Sequence, residues 1–134
     1  MQIQPYLFFD GRCAEAIEFY KKAVGATVEV LMHYKDSPDP SMCTPETRDK
    51  VMHSSIRFGD ATVLASDGRC EGKPKFDGFA LTITAADDAE ARRLFEALGK
   101  GGKVTMPLGK TFFSSSFGML ADKFGVGWMI LVAQ

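Results

Sequence analysis

The side chains able to do chemistry are few, and their spacing decides which chemistry is open to them. The chain of 134 residues holds three cysteines, Cys13, Cys43 and Cys70, and two histidines, His33 and His53. Disulfide frameworks and zinc sites need even sets or closely paired cysteines. Three distant cysteines with no C-x-x-C pair fit neither and read as reduced thiols. A nucleophilic cysteine needs a neighbouring base, and no motif supplies one. Each histidine stands alone in a strand-like stretch, where a hydrogen-bonded or exposed ring outweighs a ligand role. The run Gly99-Lys100-Gly101-Gly102 invites a nucleotide or methyl-donor reading. Such sites use glycines between a strand and a helix. These glycines follow a helix-like stretch instead, where glycine ends helices.

Composition closes other classes. The chain is 46% hydrophobic and 25% charged, as globular proteins are. Sixteen Lys and Arg offset 17 Asp and Glu for a net charge of −1, and the signs are interspersed. No basic stripe points to nucleic acid, and no block of like charge points to a disordered tail. The apolar runs are far shorter than the roughly 20 residues of a membrane span. Residue 1 leads directly into a strand-like segment, without a basic then apolar leader. These features predict a cytoplasmic chain that acts on neither nucleic acid nor membrane, folded as one domain over 1–134.

The elements that position these residues come as a repeat. Ala14-Glu15-Ala16 and Ala89-Glu90-Ala91 stand 75 positions apart, 14 to 89. Ala16, Phe19, Tyr20 and Ala23 fall at i, i+3, i+4 and i+7, as do Ala91, Leu94, Phe95 and Leu98. Each set makes one apolar helical stripe. Gly25 stands where the first helix should stop, and Asp87 with Glu90 forms a plausible capping box before the second. Strand-like runs precede each helix, Ile3–Phe9 and Phe79–Thr84. Others follow: Thr27–Tyr34, Met52–Phe58 and Ala61–Ala65, then Lys103–Met106, Ser116–Ala121 and Val126–Val132. Gly59-Asp60 fits a two-residue hairpin turn, and Asp122–Gly125 a longer one. The order in each half is β-α-β-β-β, with module 1 at about 1–68, a linker at 69–77 and module 2 at 78–134. Lys35–Lys50, with Pro38, Pro40 and Pro45, reads as a long loop.

Three stretches carry a family resemblance. Ala16–Gly25 resembles the helix-one pattern of the vicinal oxygen chelate superfamily, a Phe-Tyr pair followed by glycine. Asp122–Trp128 is similar to the turn before that superfamily's last strand. Pro5-Tyr6-Leu7, Lys50–His53, Met106–Thr111 and Phe124–Met129 resemble its PhnB-like branch, some of whose members are named 3-demethylubiquinone-9 3-methyltransferase. The resemblance spans essentially the whole chain. It implies an α+β fold of tandem βαβββ modules, the glyoxalase/bleomycin resistance/dihydroxybiphenyl dioxygenase-like fold, whose mixed sheet curves into a cup.

Enzymes of that superfamily hold a divalent ion in the cup with His, Gln or Glu on the first and last strands of each half. Carried onto this chain, those positions fall on Pro5, near Ala65, and on Phe79 and Met129. None can ligate a hard or borderline cation, so the resemblance implies a fold without its metal and without a cofactor. Alternation then puts Leu7 and Phe9 beside Pro5, Val63 and Asp67 beside Ala65, Leu81 and Ile83 beside Phe79, and Gly127 and Leu131 beside Met129. The expected pocket is apolar, with Asp67 near its rim and His53 contributing. Trp128 is expected on the opposite face, under a helix.

Three functions follow as expectations. Metal-independent binding of a small amphipathic molecule is the leading one, and it predicts saturable binding without added metal. A glyoxalase- or isomerase-type enzyme predicts activation by nickel, zinc or manganese. Methyl transfer, as the branch name suggests, needs a donor site that the glycine run does not provide. The resemblance also implies a homodimer, with Thr111–Leu120 and its Phe112, Phe113 and Phe117 as contact or pocket wall.

Overall fold

The computed structural model describes residues 1–39, 41, 43–68 and 73–133. Pro40, Cys70 and the Arg69–Gly72 part of the expected linker lie outside the described residues. The chain divides into two compact units, Met1–Pro74 and Lys75–Gln134. The first contains β1 (Tyr6–Phe8), α1 (Cys13–Val24), β2 (Thr27–His33), β3 (Val51–Phe58) and β4 (Ala61–Ser66). The second contains β5 (Leu81–Ala85), α2 (Asp88–Gly99), β6 (Lys103–Gly109), β7 (Phe117–Ala121) and β8 (Gly127–Val132). Each is one α+β unit of the expected order.

The sheets have matching topology, β1-β4-β3-β2 and β5-β8-β7-β6. The first strand of each lies parallel to the last, and the other pairings are antiparallel. A parallel partner needs a crossover, which the helix and the two strands after it supply. Gly59, at φ 61°, turns the β3–β4 hairpin so that Phe58 pairs with Ala61.

Each helix buries its stripe on one face of its own sheet. In α1 the buried residues are Cys13, Ala16, Ile17, Tyr20 and Ala23. Ile17 and Cys13 therefore join the expected stripe, and Phe19 stays half-buried. The Tyr20 ring lies 6.3 Å from Phe9 and 5.6 Å from Phe58, centroid to centroid. Gly25 ends the helix at φ 70°, its N–H donating to the Lys21 carbonyl, while Ala26 donates to Tyr20. In α2 the buried residues are Ala91, Leu94, Phe95 and Leu98. A Cβ on Gly118 would lie 2.6 Å from Phe95 Cε2, so β7 keeps glycine where the ring presses.

Element ends differ from the sequence expectation where the chain carries no boundary signal. β1 is three residues long rather than seven, and Ile3 is exposed. β6 continues past Met106 through Pro107 to Gly109. Proline has no N–H for a ladder, but β6 is an edge strand and its register shifts between Met106 and Gly109, which accommodates it.

Candidate functional site

Strand register sorts the side chains of each sheet into a face covered by its helix and a face turned away. In the first unit Ser54 pairs with Ala65, Ile56 with Val63 and Leu7 with Ala65. Ser54, Ile56, Val63, Leu7 and Ala65 are all buried. Paired residues share a face, and Tyr20 and Cys13 of α1 meet Phe58 and Ser54 of that series. The helix side is therefore the Leu7–Ala65–Ser54 side. The opposite face shows the cross-strand row Tyr6–Leu64–Ser55–Val30 and, two residues along the strands, the pairs Phe8–Ser66 and His53–Met32.

This opposite face of the first unit is the candidate site. Tyr6 and Phe8 stand two apart on β1, with ring centroids 4.8 Å apart and planes inclined by 28°. Both remain exposed, at 37% and 54%. The Tyr6 hydroxyl and His53 Nδ1 are 3.0 Å apart. Gly68 at φ 60° leaves room for Phe8, whose Cδ1 would sit 3.1 Å from a Cβ there. The Tyr34 hydroxyl donates to the Gly68 carbonyl, and the Gly68 N–H donates to Ser66 Oγ at 3.1 Å. The arrangement offers stacked aromatic surface beside one polar pair.

The second unit repeats the geometry with other chemistry. Leu81 pairs with Trp128 and Ile83 with Ile130, while Gly118 and Leu120 share their face. The opposite face carries Thr82–Met129–Met119–Met106 and Thr84–Leu131–Phe117–Gly109. Phe113 lies edge-on to Phe117 with centroids 5.0 Å apart, and Phe112 is 97% exposed.

The residues expected to line one pocket do not share a face. Leu7 and Ala65 are 3% and 0% exposed beneath α1. The expected alternation in the first unit was anchored one residue off, and a slip of one exchanges the faces of a strand. In the second unit the register likewise moves Leu81 and Ile83 to the α2 side. Pro5 precedes β1 and gives its carbonyl to the Leu64 N–H at 2.9 Å. Phe79 precedes β5, half exposed, with the Phe76 ring 6.5 Å away. His53 and Met129 lie on the faces turned away from the helices, and Trp128 lies beneath α2 with its indole N–H on Asp122 Oδ2 at 2.9 Å. Tyr6 and Phe8 were missed. In Tyr6-Leu7-Phe8 all three side chains are apolar or aromatic, so nothing local marks which face is covered.

Asp67, expected near a rim, is 2% exposed. Its Oδ1 accepts the N–H groups of Gly11 and Cys13, each at 2.8 Å, and its Oδ2 accepts that of Val51 at 2.8 Å. It ties the start of α1 to the start of β3 and offers no carboxylate to a pocket. Beside it the Cys13 thiol is pushed up to about 12, first by burial and then by the Asp67 charge. A thiol held protonated in this way is a poor nucleophile.

A divalent ion does not fit the donors present. The first unit's open face brings one imidazole, whose Nδ1 already meets Tyr6, and neutral hydroxyls. The second brings threonine hydroxyls and thioethers. Hard and borderline cations want carboxylates or several imidazoles. Among the described residues no three His, Cys, Asp or Glu side chains gather as such a set. No described helix is long and apolar enough to cross a membrane.

Two β-α-β-β-β units define the class, the α+β fold of the vicinal oxygen chelate superfamily. A glyoxylase/bleomycin resistance protein/dioxygenase domain from Frankia sp. EAN1pec shares that fold, with a TM-score of 0.65 at 14% identity over 100% of this chain and 98% of that one. The model of the family described as 3-demethylubiquinone-9 3-methyltransferase matches residues 1–131, and the chain belongs to that family. Protein YjdN of Escherichia coli is 31% identical, covering 100% of this chain and 97% of YjdN. The crystal structure of PA1353 from Pseudomonas aeruginosa matches at a TM-score of 0.89 and 41% identity, over 100% of this chain and 98% of that chain. A PhnB protein from Bacillus cereus matches at 0.80 and 26% identity, over 99% and 100%.

Proposed function

We propose that this PhnB-like chain binds a small amphipathic molecule, without a metal ion, on the sheet face opposite α1. The observation that carries the reading is the exposed Tyr6–Phe8 stack with the Tyr6–His53 hydrogen bond at its side. Apolar surface with a few convergent polar groups is what small-molecule sites are made of. The donor set on either open face supports a superfamily metal site that has lost its ligands. The family description names a methyl transfer, and the glycine run offers that chemistry no cradle. A Cβ on Gly102 would collide with the Ala121 carbonyl oxygen, so this glycine serves close backbone packing.

The test is a thermal-shift screen of small molecules, run with chelator and with added nickel, zinc or manganese, beside elemental analysis of the purified protein. A binder raises stability by RT ln(1 + [L]/Kd) in chelator. A stoichiometric tightly held metal, or stabilisation only when metal is added, overturns the reading.

The same chain is read as a cytoplasmic homodimer. The pairing is supported by Phe112, 97% exposed and edge-on to Phe113, which in turn meets Phe117. A second copy covering this patch removes large apolar area from water. Sedimentation of Phe112→Ser against the unaltered chain decides it: a dimer that persists unchanged places the contact elsewhere.

A further inference from the structure

We propose that the site opposite α1 takes a flat aromatic molecule bearing a neutral acceptor oxygen. The ring lies against Tyr6 and Phe8, and the oxygen accepts from His53 Nε2. This rests on the binding reading above and names its ligand class.

The platform comes first. Tyr6 and Phe8 project from the same side of β1, stacked at 4.8 Å, and neither is covered. Exposed stacked rings present a π surface that favours offset stacking or edge contact with another ring. The stack is held in place. Phe8 sits against Gly68, where no Cβ fits without crowding the ring, and Gly68 is itself fastened by Tyr34 and Ser66. A platform fixed on one side loses little freedom when a ligand covers the other.

The polar group comes second. The Tyr6 hydroxyl and His53 Nδ1 stand 3.0 Å apart, and we assign the hydroxyl as the donor, which puts the ring hydrogen on Nε2. No described residue accepts from Nε2. On that assignment the ligand offers an acceptor, and the Tyr6–His53 centroid distance of 5.7 Å keeps that acceptor beside the stacked ring. The acceptor need not carry charge. Arg57, on the same face of β3, spends its guanidinium on the Gly59 carbonyl at 2.9 Å and approaches Glu29 at 4.0 Å. An aryl carbonyl meets these conditions.

The experiment uses the full chain and three probes followed by NMR: acetophenone, ethylbenzene, which lacks the oxygen, and cyclohexyl methyl ketone, which lacks the flat ring. Acetophenone is expected to shift Tyr6, Phe8 and His53 signals saturably, and each control to bind about fivefold weaker or worse, the scale of one net hydrogen bond for ethylbenzene and of one aromatic pair for the cyclohexyl ketone. His53→Phe keeps an apolar ring and should bring acetophenone down to the ethylbenzene level while leaving ethylbenzene unchanged. Tyr6→Phe keeps the platform, frees the tautomer, and should lose less. Tyr6 and Phe8 are exposed and His53 is half-buried, and unchanged melting temperatures will show that the variants are folded. Equal binding of acetophenone to His53→Phe, shifts that map instead to Met119 and Met129, or no saturable shift overturns the ligand class. If another molecule still stabilises the protein in chelator, the binding reading survives that loss.

Discussion

The two units fasten the start of the helix to the start of the third strand with a carboxylate, but the carboxylates come from different elements. The first helical residue is Cys13 in one unit and Asp88 in the other. In the first unit the carboxylate comes from just past β4: Asp67 is buried and collects N–H groups from Gly11, Cys13 and Val51. In the second it comes from the helix: exposed Asp88 accepts from Ser115 Oγ at 2.6 Å and Ser116 Oγ at 2.7 Å. One joint is sealed from water and the other is washed by it. Identical topology thus leaves two joints of unequal strength, and the unit with the buried joint carries the candidate site.

The largest test of that inequality is Asp67→Ala. Three N–H groups lose their acceptor, those of Cys13 and Val51 buried and that of Gly11 part-buried, and each unsatisfied buried group costs about 1–3 kcal/mol. With partial rescue by water the expected loss is about 3–5 kcal/mol, read from urea unfolding. A loss near zero would mean that the joint is held by packing around Cys13 instead.

The helix faces differ too, and Gly118→Ala probes this next. By register Ser54 and Gly118 are counterparts, opposite Ala65 and Ile130. α1 presents Cys13 beside Ser54, which fits and donates to the Ala65 carbonyl at 2.7 Å. α2 presents Phe95, and the added methyl meets it at 2.6 Å. Overpacking of this kind costs about 1–3 kcal/mol, whereas Ser54→Ala should cost about 1 kcal/mol. Equal costs would show that Phe95 swings aside freely.

The same contrast explains what was legible in the sequence. The cap of α2 was readable because its partners are three residues apart: Asp87 Oδ1 accepts the Glu90 N–H at 2.8 Å. Glu90 turns back one residue further than a capping box requires, to the Ala86 N–H at 3.4 Å. The cap of α1 was not readable. Arg12 offers no side-chain cap, and Asp67 stands 54 positions from Cys13. Element order came through because helix stripes and turn residues are local signals. Face assignment did not, because Tyr6-Leu7-Phe8 has no polar residue to mark its outer side. Leu81-Thr82-Ile83-Thr84 did alternate, and its apolar half faces α2. The candidate site followed the faces: His53 was named, but its neighbours Tyr6 and Phe8 were not.

Alkaline pH should weaken the first unit selectively. The Cys13 thiol, pushed up to about 12 by burial and then by Asp67, has a folded value above its unfolded one of about 9. Its contribution is fully present below about pH 9 and is lost as pH rises toward 12. By pH 10 the expected loss is about 1–2 kcal/mol. Cys13→Ala costs some packing at every pH but should flatten that slope. A slope that survives the substitution belongs to another group.

The smallest effect is expected at the exposed joint. Hydrogen bonds from Ser115 and then Ser116 hold the Asp88 carboxyl below its usual range. A depressed folded value stabilises above the ordinary carboxylate range, and that stability is lost as pH falls through it. Asp88→Asn should therefore lie slightly below the unaltered chain at neutral pH, with the difference closing as the solution is acidified. Because the group is open to water, the gap should be far smaller than that of Asp67→Ala. Unfolding curves for both variants across the acid range test this directly. If Asp88→Asn costs as much as Asp67→Ala, the two joints are equivalent, and burial is not what separates the units.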